Sequence, residues 1–262
     1  MLKKRIIPKF LFQFQNINEH LLPTFVISRN FSKLKTIGSI IPQAKIYEAQ
    51  LADELMILNI ADIKCSADTK FLSFLKKFSE QIFMPLTVGG GVKSLECFEK
   101  LLNNGADKVF INSEAISNPD LVKLASEKFG SQCVVIGIDF KKLEDDRLVV
   151  FSKGGKKNTK LNLFEWIKKC EDLGAGEIVV TDIDKDGTNS GLNIDVAKKI
   201  SNFLNIPLIF AGGCGLASHF VDGFKKGNVD AISAANFFSK RDQNIFELRA
   251  QLLNSGINLR QV

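Results

Sequence analysis

Short apolar runs alternate with longer amphipathic stretches along the whole chain. Each run is brief, rich in Ile, Val and Leu, and bounded by turn residues, which reads as parallel strands joined by helices. The strand candidates are residues 5–8, 55–60, 85–88, 108–111, 133–138, 178–181, 207–210 and 231–234. Helical periodicity between them marks 94–103, 119–129, 163–173, 194–203 and 220–226. The stretch 12–45 is the least regular and is expected to form a long excursion after the first strand. Eight such runs fit a closed (β/α)8 barrel better than an open sheet, although the pattern alone is compatible with both.

The pattern also repeats. Val88-Gly89-Gly90-Gly91 and Ala211-Gly212-Gly213-Cys214-Gly215 each close a strand, and each is followed one helix later by a second strand. Those second strands are Gly105-Ala106-Asp107-Lys108-Val109-Phe110-Ile111-Asn112 and Gly227-Asn228-Val229-Asp230-Ala231-Ile232-Ser233-Ala234-Ala235-Asn236. Gly90 and Gly213 lie 123 positions apart, as do Asp107 and Asp230. This predicts two half-barrels of one plan. Glycines at a strand end let backbone N–H groups approach an anion, and a following helix N-terminus adds positive dipole. The plainer alternative is that they only relieve tight turns; their duplication favours a ligand with two phosphates.

With 262 residues, 45% of them hydrophobic, the chain matches the size of one barrel spanning 1–262, and no low-complexity linker divides it. No apolar run is long enough to cross a bilayer. The basic prefix Met1-Leu2-Lys3-Lys4-Arg5-Ile6-Ile7-Pro8 reads as a first strand, not a signal peptide. The net charge of +6 comes from lysines on helical stretches, such as Lys76-Lys77 and Lys198-Lys199, without interleaved aromatics. That fits solvated helix faces and attraction of an anionic small molecule better than a nucleic-acid groove. The five cysteines (Cys65, Cys97, Cys133, Cys170, Cys214) form no CxxC, and only His20 and His219 could join them. A metal site is therefore not expected, no cofactor is implied, and a reducing cytosol is.

In a barrel, chemistry gathers where strands end. Asp139 closes Val134-Val135-Ile136-Gly137-Ile138; Asp182, Asp184 and Asp186 follow another strand; Asn59 and Asn112-Ser113 end two more. At the opposite end Arg5, Glu54, Lys108 and Glu177 each precede an apolar strand. Two cations and two anions would meet on the barrel floor, where partial burial requires them to pair.

These stretches, in register, resemble the cyclase subunit of imidazole glycerol phosphate synthase. The matching segments are Lys4-Arg5-Ile6-Ile7-Pro8, Thr87-Val88-Gly89-Gly90-Gly91, Gly105-Ala106-Asp107-Lys108-Val109, Phe129-Gly130-Ser131-Gln132, Gly155-Lys156-Lys157-Asn158-Thr159 and Ile183-Asp184-Lys185-Asp186-Gly187-Thr188. The resemblance implies a (β/α)8 barrel with two phosphate sites. One would use Gly90, Gly91, Asn112, Ser113, Gly154 and Gly155; the other would use Asp184, Gly187, Gly213 and Asn236. It implies Asp139 as a catalytic acid–base, an ammonia gate of Arg5, Glu54, Lys108 and Glu177, and a glutaminase subunit contacting Asp107 and Gln132. A plain stabilising salt-bridge ring is the alternative for the four charges.

The chain also departs from that pattern. A second catalytic aspartate is expected to close the first strand, where Leu11 stands, and leucine moves no proton. The segment after it, Gln13 to His20, lacks the glycines and the lysine that would fold over a substrate. Asn59 stands for an aspartate and Ala211 for a serine. Losses at the top with retention at the floor resemble the cyclase-subunit paralogues that serve a glutaminase and a sugar amidotransferase in adding acetamidino groups to glycans. A genuine histidine-pathway cyclase, with Asp139 and Asp186 sharing the acid–base work, is the second expectation. A non-catalytic scaffold that activates a glutaminase is the third.

Overall fold

In the computed structural model, which describes residues 3–17, 20–60, 68–239 and 244–260, eight parallel strands close on themselves and helices pack around them. The first half of the chain runs β1 (Arg5–Ile17), β2 (His20–Ile27), β3 (Lys35–Ser39), α1 (Ile40–Ala49), β4 (Leu55–Asn59), α2 (Thr69–Ser79), β5 (Leu86–Gly89), α3 (Leu95–Asn103), β6 (Lys108–Ile111), α4 (Ser113–Ser117) and α5 (Asp120–Phe129). The second runs β7 (Val134–Lys142), β8 (Leu148–Ser152), β9 (Lys157–Asn162), α6 (Leu163–Asp172), β10 (Glu177–Asp182), α7 (Ile194–Ser201), β11 (Leu208–Ala211), α8 (Ala217–Lys225), β12 (Ala231–Ala234) and α9 (Ile245–Asn254).

The barrel order is β1, β4, β5, β6, β7, β10, β11, β12 and back to β1, so the expectation of a closed barrel holds. These strands are buried on both faces, which is why they read as continuous apolar runs such as Leu208-Ile209-Phe210-Ala211. Each of Asp53, Asp107 and Asp230 fastens the start of its strand to a neighbouring strand: its carboxylate accepts from the backbone N–H of Ile6, Leu86 or Leu208 at 2.8–3.0 Å. Its own N–H donates to the carbonyl of the same residue.

The excursion expected after the first strand is present, but most of its described residues between 12 and 45 are regular rather than irregular. β1 continues past the barrel rim to Ile17, β2 folds back on it antiparallel, and β3 pairs with β2. The alternation Phe10-Leu11-Phe12-Gln13-Phe14-Gln15 is a period-two signal, with Phe10 and Phe12 buried and Gln13 and Gln15 partly exposed. A matching antiparallel extension, β8 and β9, stands on β7. The two halves therefore share their hairpins as well as their glycine-rich turns.

Side chains pointing into the bore form three tiers. The floor tier is Arg5, Glu54, Lys108 and Glu177. Above it lies an apolar plug of Ile7, Met56, Phe110, Val135, Val179, Ile209 and Ala231. The upper tier carries Lys9, Asn112, Asp139, Thr181 and Ser233, placed by the two-residue alternation along their strands. Phe110 dominates the plug, and Gly137 makes room for it: a Cβ there would lie 1.9 Å from the ring's Cζ.

Gly137→Ala is expected to destabilise the fold by about 1–3 kcal/mol through overpacking. Combining it with Phe110→Leu should return part of that loss, a coupling that a double-mutant cycle in urea would measure. Simple additivity of the two would contradict the tight contact.

Candidate functional site

At the floor the four charges form a closed alternating ring. Arg5 Nη1 lies 2.9 Å from Glu54 and 2.8 Å from Glu177, and Lys108 Nζ lies 2.9 Å from Glu54 and 3.0 Å from Glu177. Thr87 Oγ1 donates to the remaining Glu54 oxygen at 2.6 Å. Burial works against the Arg5 charge, but Glu177 and Glu54 outweigh it and hold the guanidinium above its ordinary value. Beside the ring, Asp107 is engaged with Leu86 N–H, and Gln132 donates to Phe129 O in a short turn before β7.

The mouth centres on Asp139, where β7 leaves the barrel and continues into its hairpin. Asn112 Nδ2 donates to Asp139 Oδ2 at 2.8 Å. Burial pushes the carboxyl up to about 6; the Asn112 hydrogen bond and the charge of Lys9 pull it down, the charge of Asp186 raises it, and a Thr181 hydrogen bond lowers it. Asp186 is also buried, and its Oδ2 accepts from Ser28 Oγ at 2.7 Å. Leu11 stands on β1 opposite Val26 of β2 and Leu58 of β4, so β1 brings no carboxylate to the mouth from that position.

The first expected phosphate group is brought partly together. Gly90 and Gly91 adopt positive φ, and a Cβ at Gly90 would lie 1.9 Å from Asn59 O. Ser113 Oγ accepts from Lys153 N at 2.9 Å, which docks the β8–β9 turn containing Gly154 and Gly155 beside α4. The Asn112 amide is turned to Asp139.

In the second group Gly187, Gly213 and Asn236 line one small cavity, together with Lys9, Asp186 and Ser233. Asp184 stands apart: its side chain is exposed and accepts from Lys142 N. Asp182 organises the turn, accepting from Asp184 N, Lys185 N and Asn193 Nδ2, with its carboxyl raised by burial. His219 Nδ1 accepts from Gly215 N, so it braces the glycine-rich turn, and burial lowers its basicity. Burial likewise pushes the Cys214 thiol up, leaving no reactive thiolate. Cys65 lies outside the described residues.

Lys9, Ser28 and Ser233 were not singled out from sequence. The signal for Lys9 was available, because residues 5, 7 and 9 share one face of β1 and a cation at 9 must enter the bore. Ser28 had no such signal, since it meets Asp186 across 158 positions of chain.

Comparison with known proteins agrees with this architecture. The family described as "Histidine biosynthesis protein" matches residues 25–243. The chain is 45% identical over 262 residues, 99% of each sequence, to a protein of Prochlorococcus marinus (strain MIT 9313) named "Putative imidazole glycerol phosphate synthase subunit hisF2". It is 43% identical over 231 residues to the imidazole glycerol phosphate synthase subunit HisF of Hydrogenobaculum sp. (strain Y04AAS1), covering 88% of this chain and 91% of that one. The corresponding subunit of Clostridium botulinum (strain Okra / Type B1) is 42% identical over 232 residues, with the same coverage.

Because the Asp139 carboxyl titrates at about 6 when folded, the native state holds a proton that the unfolded chain has lost between its ordinary value and pH 6. Stability therefore falls as pH rises through that window, and the cost is complete above it. Asp139→Asn is expected to stabilise the protein by about 1–3 kcal/mol near neutral pH, the net of burial against the attraction of Asn112 and Lys9. The gain should disappear below about pH 4, as urea denaturation at two pH values would report.

Proposed function

Because the chain belongs to the histidine biosynthesis protein family and is of the imidazole glycerol phosphate synthase HisF type, we propose that it is the ammonia-receiving barrel of a glutamine amidotransferase assembly. A glutaminase subunit docks on the floor near Asp107 and Gln132. Ammonia enters through Arg5, Glu54, Lys108 and Glu177 and meets a phosphorylated small molecule held by the glycine-rich turns. The observation that carries this reading is the closed ring: its four charges surround the bore axis and pair in alternation, with Thr87 holding the remaining Glu54 oxygen.

Ammonia is small and neutral, so the apolar plug does not repel it as it would an ion. Phe110 fills the passage, however, and must swing aside for each transfer. The plug keeps water and ammonium out between transfers, which protects a reactive intermediate above it.

At the mouth Asp139 titrates close to neutrality, so it can give or take a proton. The finer reading is that this chain serves amidination of a sugar in glycan or polysaccharide synthesis, passing ammonia to a sugar amidotransferase. Leu11 supports it, since β1 brings no carboxylate to the mouth from that position to face Asp139.

A second reading has its own observation. Asp139 and Asp186 are both buried at the mouth, near enough for one charge to raise the other's proton affinity. Two carboxylates placed at one mouth could divide the work of a cyclase that forms imidazole glycerol phosphate and an aminoimidazole carboxamide ribotide from the phosphoribulosyl-formimino precursor and ammonia.

Supplying that precursor with excess ammonium separates the two, because free ammonium bypasses any glutaminase. The sugar-amidination reading expects turnover reduced by about 10²–10⁴-fold from a two-aspartate cyclase, the usual contribution of one general acid or base. Full turnover that Asp139→Asn abolishes would establish the cyclase instead.

A further inference from the structure

Two hydrogen-bond donors at the mouth face the same cavity, one without a carboxylate in contact and the other without an acceptor among the described residues. Lys9, on β1, is only 7% exposed, and among the described residues no carboxylate comes within 4.0 Å of its ammonium. Ser233, on β12, is 1% exposed, and its Oγ has no hydrogen-bond partner. A buried hydroxyl without an acceptor is costly, and a mostly buried ammonium with no carboxylate in contact is open to an anion. Both line the cavity that Gly187, Gly213 and Asn236 enclose.

The remaining walls of that cavity define what would satisfy them. Gly212 and Gly213 hold positive φ, and a Cβ at either would run into backbone oxygen at 2.5 Å or 2.2 Å. Both glycines line the cavity and have only backbone to offer it, as Lys9 and Ser233 offer their side chains. Asp186, on a third side, has one oxygen committed to Ser28 and can accept a hydroxyl with the other. Asp139 feels the Lys9 charge across the bore but makes no contact pair with it.

We infer that Lys9 and Ser233 form the inner wall of the second phosphate subsite, binding the phosphate of a phosphorylated sugar by direct charge and hydrogen bond while Asp186 takes a neighbouring sugar hydroxyl. A tetrahedral dianion has enough acceptor oxygens to meet an ammonium, a hydroxyl and the turn backbone at once. This rests on the phosphate reading of the Gly187, Gly213 and Asn236 group and extends it into the bore. In this chain β1 thus contributes an anion anchor at residue 9 and no carboxylate at residue 11.

Isothermal titration of the full-length protein with ribose 5-phosphate, inorganic phosphate and unphosphorylated ribose tests it. Binding of the two phosphate-bearing probes is expected, weakened about tenfold or more by Lys9→Met and several-fold by Ser233→Ala, with unphosphorylated ribose binding far more weakly than either. Wild-type affinity in both variants would overturn the inference and leave the phosphate subsite standing. Failure of the wild-type protein to bind either phosphate would overturn both. Borohydride trapping of ribulose 5-phosphate on Lys9 would also overturn it, since an amine that forms an imine is not serving as a fixed cation. If Lys9→Met does not fold, as its thermal unfolding would reveal, Ser233→Ala decides the matter.

Discussion

One arginine, one lysine and two glutamates, alternating around the barrel floor, set the register on which the rest of the site depends. Each lies at the beginning of its strand and points inward: Arg5 on β1, Glu54 before β4, Lys108 on β6 and Glu177 on β10. Strand side chains alternate faces every residue, so the position that points inward at the floor decides which ones point inward at the mouth. Arg5 thereby places Lys9 in the bore, Lys108 places Asn112 and Glu177 places Thr181. Asp139 follows from Glu177 pairing with Val135 on β7. A one-residue slip would turn these groups toward the helices and strand the ring charges in apolar surroundings. The ionic contacts need not add much net stability, because desolvation offsets their attraction. Their effect is to make the wrong register expensive.

Between floor and mouth, Phe110 and its glycine neighbours occupy the bore. This plug is the usual filling of a parallel barrel, adapted here by Gly137, which leaves space for an aromatic ring where a larger residue would collide. It separates a charged, partner-facing end from a polar, ligand-facing one. The two ends differ in how closely they keep the resemblance. The floor retains its four charges and Asp107, whereas the mouth has Leu11 and Asn59 where acids were expected. A barrel that still receives ammonia but has altered what it does with it would look like this.

Much of the architecture was legible in the sequence for a physical reason. Buried parallel strands have apolar side chains on both faces, so the runs at 108–111 and 231–234 identify themselves to the residue. Pairing of the floor charges was readable because isolated charges at the ends of apolar strands must find partners. The hairpins were not legible in the same way. β2 is buried only in its second half, with Leu21 and Leu22 exposed, and β3 and β9 are largely exposed, so none of the three reads as a buried run; β8 does carry one, Leu148-Val149-Val150-Phe151, but it stands outside the eight barrel strands. Within the candidate site, Gly187, Gly213 and Asn236 line one cavity. Asp184 turned outward because the turn it belongs to is built on Asp182. The Ser28–Asp186 contact depends on where β2 returns the chain, which no local pattern specifies.

The most direct test of this account is the rate of glutamine hydrolysis by a HisH-type glutaminase, alone and with this protein, under conditions where the two are shown to associate or not. A floor preserved for ammonia transfer predicts a stable complex and a glutaminase rate well above that of the isolated enzyme, whatever the fate of the cyclase chemistry. A glutaminase that neither binds the barrel nor responds to it would contradict the account and leave the charged ring as a device of folding alone.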